Sequence, residues 1–211
     1  MSEQGSEEWL AERLGYATAS NFHKILAKGG GKTRASYLQQ LVVERLTGKP
    51  VDSYSNSHMA RGNELEPMAR MAYEAETGII VEETGFISMV NEMVGGSPDG
   101  LIDVTGGVEI KSRLPGIQLE TIKNGGYPAA NKAQIQGLLW ITGRSYWDYV
   151  SYSPDLPENL QLYIFRVVRD VDYIRNLQAE TAVFLREVEA EEKKWRNHII
   201  KHSLTTDMYD H

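Results

Sequence analysis

Residues 97–113, SPDGLIDVTGGVEIKSR, set charged side chains inside apolar runs that carry the pattern of strands. Val108, Glu109, Ile110 and Lys111 alternate apolar and charged. Successive side chains of a strand point to opposite faces. Val108 and Ile110 are therefore expected on a core face, and Glu109 and Lys111 together on the other. Leu101–Val104 reads as a partner strand, with Thr105-Gly106-Gly107 as the hairpin turn, because glycine takes up positive φ at little cost. Closing that hairpin returns Asp99 to the side of Glu109 and Lys111. Two acids and a lysine then share one side of a small sheet. They form either a solvated face on which Glu109 and Lys111 merely pair, or a site.

Composition narrows the choice. A chain of 211 residues, 41% hydrophobic and 24% charged, suffices for one globular domain with a substantial core. That domain is expected over residues 1–198, with 199–211 as a flexible C-terminal tail. No apolar run reaches the roughly 18 residues that a membrane span needs. The first residues, MSEQGSEEWLAERLG, lack the apolar core of a signal peptide. A cytoplasmic location is the expectation. The absence of cysteine excludes disulfides, thiolate nucleophiles, zinc–cysteine sites and iron–sulfur clusters. A net charge of −7 argues against a uniformly basic coat for nucleic acid. It leaves room for a local basic groove, or for an acidic site whose charge an ion cancels.

Apolar spacing predicts helices over 7–14, from a Thr18–Ser20 cap to Leu26, and over 36–47, 58–77, 117–124 and 130–142. A last helix is expected from an Asp170 cap to about Trp195. Pro67 should start a turn of its helix or kink it. Strands are expected around 79–90, in the hairpin, and over Tyr146–Tyr152 and Leu160–Val168. GGGKTRAS, residues 29–36, reads as a loop. The order implies an α/β fold: a central mixed β-sheet flanked by helices.

GGGKT is not a phosphate-binding loop, because Leu26 stands where the first glycine of that motif belongs and the preceding segment reads as helix. Lys28, Lys32 and Arg34 there can instead meet nucleic-acid phosphates. The five histidines have no metal-ligand spacing, and no G-x-S-x-G appears. The acids are more telling. RGNELEPMARMAYE puts Glu64 and Glu66 early in an apolar-periodic helix. Clustered carboxylates away from water are unfavourable unless a cation joins them. Oxygen-only donors suit a hard ion, Mg²⁺ or Mn²⁺, which serves phosphodiester hydrolysis. Lys111 beside them can stabilise developing charge or assist the attacking water.

The pattern S-P-D-x9-E-x-K, with Pro98-Asp99 and Glu109-Ile110-Lys111, resembles the PD-(D/E)xK nuclease core. Arg13-Leu14-Gly15-Tyr16-Ala17-Thr18-Ala19-Ser20 resembles the R-x-G-x-x-T-A-S segment of the phage lambda exonuclease and YqaJ-type viral recombinase family. Gly62, Glu66 and Ala69-Arg70 resemble that family's acid-bearing helix, and Ala133-Gln134-Ile135-Gln136 with Trp140 its A-Q-x-Q helix. The resemblance runs from about residue 9 to residue 195.

It implies a restriction-endonuclease-like core in which Asp99, Glu109 and the backbone carbonyl of Ile110 bind Mg²⁺ or Mn²⁺. It makes Lys111 the catalytic lysine, Glu66 the helix acid and Gln134 the active-site glutamine. Arg13, Ser20 and Ser97 would hold a 5′-phosphate. The family's second pocket arginine falls on Ile117, which leaves Arg113 as the nearest substitute. The implied activity is a 5′→3′ exonuclease on double-stranded DNA ends that leaves 3′ single strands for phage-type recombination. A ring-shaped homotrimer and a single-strand annealing recombinase partner are implied with it. The rival readings are an endonuclease of restriction or repair type on the same core, and a non-catalytic DNA-end-binding module.

Overall fold

In the computed structural model, residues 6–27, 31–51 and 57–206 are described. Among these residues the α-helices run in the order α1 (Glu7–Glu12), α2 (Phe22–Ile25), α3 (Lys32–Thr47), α4 (Ser57–Thr77), α5 (Pro115–Asn124), α6 (Lys132–Thr142), α7 (Glu158–Gln161) and α8 (Val171–Thr206). The strands are β1 (Ala17–Thr18), β2 (Ile87–Ser88), β3 (Val94–Gly96), β4 (Gly100–Ile102), β5 (Gly106–Ser112), β6 (Tyr146–Tyr152) and β7 (Leu162–Val168). Among the described residues, no helix is long and apolar enough to cross a membrane.

The strands form two sheets rather than one. The larger has the order β4-β5-β6-β7, and the smaller β1-β3-β2. In the larger, β4 pairs antiparallel with β5, β5 parallel with β6, and β6 antiparallel with β7. The parallel pair needs a crossover, and α5 and α6 supply it. This is the mixed sheet flanked by helices that the sequence predicts.

The alternation of β5 sorts its side chains. Val108 and Ile110 pack with Val150 and Tyr152 against Ala69 and Tyr73 of α4. The other face carries Trp147, Tyr149 and Val167, covered by Phe22, Ile135, Leu138 and Phe184. Glu109 and Lys111 point to this second face by the two-residue period. A second buried acid, Asp148, shows how such a group is normally satisfied. Its two oxygens accept from Arg166 at 2.8 and 2.9 Å, and one also accepts from the Tyr73 hydroxyl at 2.8 Å.

Several element ends differ from the sequence expectation. The hairpin turns at Asp103–Thr105, where the Asp103 carboxylate accepts from the backbone N–H groups of Thr105 (2.6 Å) and Gly106 (3.0 Å). That local bonding holds Asp103 at φ 45°, so the turn needs no glycine. Gly106 and Gly107 lie inside β5, paired with β4 and β6, at positions where a Cβ would run into the rings of Tyr146 and Trp147. α3 begins at Lys32, so part of the expected loop is helix, while residues 28–30 lie outside the described ones. Of the strands expected around 79–90 there is only β2 and a bridge between Glu82 and Leu101. Asp170 caps α8 as expected, its Oδ1 accepting from Tyr173 N at 3.0 Å. The helix runs on to Thr206, through residues expected as tail, and 207–211 lie outside the described residues.

Trp147 is fully buried and cannot swing away from an added methyl group. Gly107→Ala is therefore expected to lower unfolding stability by about 1–3 kcal/mol in denaturant titrations. A change within about 0.5 kcal/mol, the scale of an ordinary surface substitution, would show that the ring has room to yield.

Candidate active site

The β4–β5 register pairs Gly100 with Val108, so Asp99 stands one step before the strand, opposite Glu109. Asp99 Oδ2 accepts the backbone N–H of Ile110 at 2.6 Å. Glu109 is 0% exposed. Its Oε1 pairs with the Lys111 ammonium, and among the described residues no donor reaches its Oε2. Glu66 comes in from α4, half-buried, and accepts from Arg70 Nη2 at 3.2 Å. Arg70 also pairs with Glu83. Gln134 is half-buried in the first turn of α6 and makes no hydrogen bond with these acids. Ile110 contributes its backbone to β5, while its side chain belongs to the core under α4.

The charges on these groups follow from their surroundings. Burial pushes Glu109 up to about 7, and Asp99 and Glu66 add to that against the pull of Lys111. Glu66 rises to about 6, again through burial first and then Asp99, while Arg70 opposes. Asp99 is raised as well, by burial that Lys111, the Ile110 N–H and Arg70 offset only in part. Burial alone would lower Lys111, but Glu109 and Asp99 outweigh it and hold its pKa above the ordinary lysine value. One lysine and one arginine thus leave three acids short of positive charge.

Such a donor set fits a hard divalent cation. The fit rests on the bare Oε2 of Glu109 and on raised acids that a cation would return to their ionised form. Among the described residues no three acidic or histidine side chains already close into a ligand cage. Two carboxylates and a main-chain carbonyl require none.

A second cluster lies upstream on the same segment. Ser97 Oγ accepts from Arg13 Nη1 and from Trp9 Nε1, each at 3.0 Å. The Arg13 guanidinium lies 3.9 Å from the centre of the Trp9 ring. Burial lowers the Arg13 pKa to about 10, with Tyr37 and Glu44 opposing, so it keeps its charge near neutrality. Arg13, Ser20, Thr18 and Tyr37 line one cavity of about 300 Å³. Ser20 is exposed there, on the turn after β1, rather than capping a helix through its side chain. Glu44 lines the same cavity, with its oxygens taken by Gly15 N at 3.0 Å and Gln40 Nε2 at 2.8 Å.

Arg113 is not in that group. Its Nη2 reaches Tyr149 Oη at 3.2 Å and Asn131 Oδ1 at 3.4 Å, and its charge opposes that of Lys111. Ile117 is 45% exposed on α5. Arg34 is held by Glu187 at 2.6 and 3.0 Å. Three residues of these clusters were missed as site residues: Trp9, Arg70 and Tyr149. The first two carried a signal, since Trp9–Arg13 and Glu66–Arg70 both have the spacing of side chains that meet one helical turn apart.

The sequence profile of the YqaJ-like viral recombinase domain matches residues 8–145. An alkaline exonuclease from Laribacter hongkongensis has a solved structure with a TM-score of 0.87 and 39% identity, over 93% of this chain and 99% of that one. Its structure in complex with dAMP gives the same score and coverage at 40% identity. A phage-related exonuclease from Haemophilus somnus shares the fold, with a TM-score of 0.68 at 15% identity over 85% of this chain and 96% of that one. No curated protein sequence matches.

The raised acids set a pH dependence. An acid whose pKa is higher folded than unfolded binds more protons in the folded state, so stability falls as pH rises through that interval. Glu66 and Glu109 move from 4.5 to about 6 and about 7. In chelator, the melting temperature is expected to fall between about pH 5 and 8, and Glu109→Gln is expected to flatten that fall. Identical slopes for wild type and variant would contradict the assignment.

Proposed function

This chain belongs to the YqaJ-like viral recombinase family, and on that premise we propose that it is a metal-dependent 5′→3′ exonuclease acting on double-stranded DNA ends. The observation that carries the reading is the spacing of its two clusters. Ser97, in the Arg13 cluster, and Asp99, in the acid cluster, are two residues apart on one segment. Two residues of extended chain span about 7 Å. A terminal phosphate held at Arg13 and Ser97 therefore lies within about one nucleotide of the acids. The dAMP bound by the Laribacter hongkongensis enzyme is a 5′-mononucleotide, the product class such an arrangement would release.

Asp99, Glu109 and the Ile110 carbonyl would hold Mg²⁺ or Mn²⁺, with Glu66 reaching in from the helix. An ion bound there would supply Lewis-acid activation of the scissile phosphate and of the attacking water. Without a bound ion, Glu109 and Asp99 hold the Lys111 pKa above the ordinary lysine value, so it brings positive charge to the site. This favours charge stabilisation at the scissile phosphate over a role as general base. Arg13 clamps the 5′-terminal phosphate, Ser97 and Ser20 complete its oxygen shell, and Gln134 faces the reacting strand. Arg113, engaged with Tyr149 beside Lys111, adds positive charge near the acids rather than replacing the arginine missing at Ile117.

The product would be a duplex with 3′ single-stranded ends, the substrate of an annealing recombinase partner in the cytoplasm of a bacterial host. A ring-shaped homotrimer, through which the duplex threads, completes the reading that the family resemblance supports.

Linear and covalently closed duplexes test it. Linear DNA is expected to be digested with Mg²⁺ while closed circles survive; cutting of the circles would establish an endonuclease instead. Asp99→Ala is expected to abolish digestion, and Lys111→Ala to slow turnover at least about a hundredfold. A loss of tenfold or less for Lys111→Ala would reduce it to an ion-pair partner of Glu109.

The phosphate pocket has a separate test. Duplex with 5′-phosphate is expected to be degraded faster than duplex with 5′-hydroxyl, and Arg13→Ala should remove most of the difference. Equal wild-type rates on both ends would reject the pocket without touching the acid cluster.

A further inference from the structure

We propose that Arg70 is a positioning residue that sets Glu66 against the strand acids, and that Glu83 is its anchor. The inference rests on the reading of the acid cluster as a metal site.

A cation beside a dication site is unfavourable by simple Coulomb repulsion. Arg70 nevertheless stands there, bonded directly to Glu66. Its placement needs a second reason, and the segment around it supplies one. Arg70 is 16% exposed, with its Nε buried and unpartnered, so the guanidinium is held by its two outer nitrogens. Nη2 goes to Glu66 at 3.2 Å and Nη1 to Glu83.

Glu83 is 74% exposed and pairs with Arg70. Its backbone neighbour Glu82 is fixed, though. Glu82 N donates to Leu101 O at 2.8 Å, and Leu101 N donates to Glu82 O at 2.9 Å. Leu101 lies on β4, the strand that begins directly after Asp99. A continuous path therefore runs from Glu66 through Arg70 and Glu83 to β4. Along it, the helix that carries one acid is tied to the strand segment that carries another. The planar fork of arginine suits such a bridge, because it fixes the angle between two carboxylates; a lysine ammonium would not.

This role and a bare charge effect predict opposite signs. If Arg70 acted only as a positive charge, removing it would tighten metal binding. If it positions Glu66, removing it loosens metal binding although the repulsion is gone.

The measurement is the Mn²⁺ dissociation constant of the DNA-free protein, read by electron paramagnetic resonance, alongside kcat and KM on linear duplex. Arg70→Gln is expected to weaken Mn²⁺ binding about 10- to 100-fold, the scale for losing a group that orients a ligand. Arg70→Lys is expected to fall short of full rescue despite keeping the charge. Glu83→Gln, on the exposed anchor, is expected to weaken Mn²⁺ binding at least about threefold, with kcat reduced and KM for DNA within about twofold of wild type. Unchanged or tighter Mn²⁺ binding in Arg70→Gln, or a wild-type constant in Glu83→Gln, would overturn the proposal while leaving the metal site standing. A wild-type protein that binds no Mn²⁺ would remove the metal reading itself, and this inference with it.

Discussion

The carboxylate of Glu109, fully buried in the middle of a sheet and offered one ammonium group, is the constraint on which the rest of the site depends. An acid in that position is stable as an ion only if its surroundings return what water gave it. The neighbouring strand shows the ordinary solution. Asp148 is almost as buried, and Arg166 and Tyr73 occupy its oxygens completely. Glu109 has no such provision: among the described residues no donor reaches Oε2, and Asp99 and Glu66 add charge of the same sign. The two acids sit on the same four-stranded sheet and on opposite faces. One is a structural ion pair. The other keeps an unmet demand for positive charge at a place that the fold holds rigid.

The fold keeps that demand from relaxing. Val108 and Ile110 are locked under α4, which fixes the orientation of Glu109 and Lys111 by the alternation of the strand. Asp99 is pinned by the Ile110 N–H. Glu66 arrives on α4, the helix that packs on the opposite face of the same strand, and its charge acts on Asp99. Ser97 extends the platform to Arg13 and Trp9. In the function proposed above, recognition of a strand terminus and chemistry at the next phosphate would both fall to one short segment, residues 97–111.

Much of this was legible in the sequence, and for physical reasons. The period-two pattern of residues 108–111 named both faces of β5, and Tyr146–Tyr152 shows its strand through its aromatic and β-branched residues despite Asp148 and Ser151. The acid cluster was legible because carboxylates among apolar residues stand out. The turn was misplaced because the glycines in Thr105-Gly106-Gly107 serve two aromatic rings from the next strand, and no local pattern reveals a neighbour that arrives forty residues later. The Trp9–Arg13 and Glu66–Arg70 spacings were visible, but the same limit hid that Trp9 meets Ser97 and Arg70 meets Glu83. The division of the strands into two sheets was hidden too, since it depends on which short edges meet.

The central claim is that a buried, charge-starved Glu109 is what calls a cation into this fold. Its side-chain carboxyl carbon, followed by ¹³C NMR through a pH titration, tests that most directly. Without metal, the midpoint is expected at about 7, well above the ordinary 4.5. Saturating Mg²⁺ is expected to drive it below the ordinary value, as a bound cation favours the ionised acid. A metal-free midpoint at the ordinary value, or one that Mg²⁺ leaves unmoved, would contradict the account.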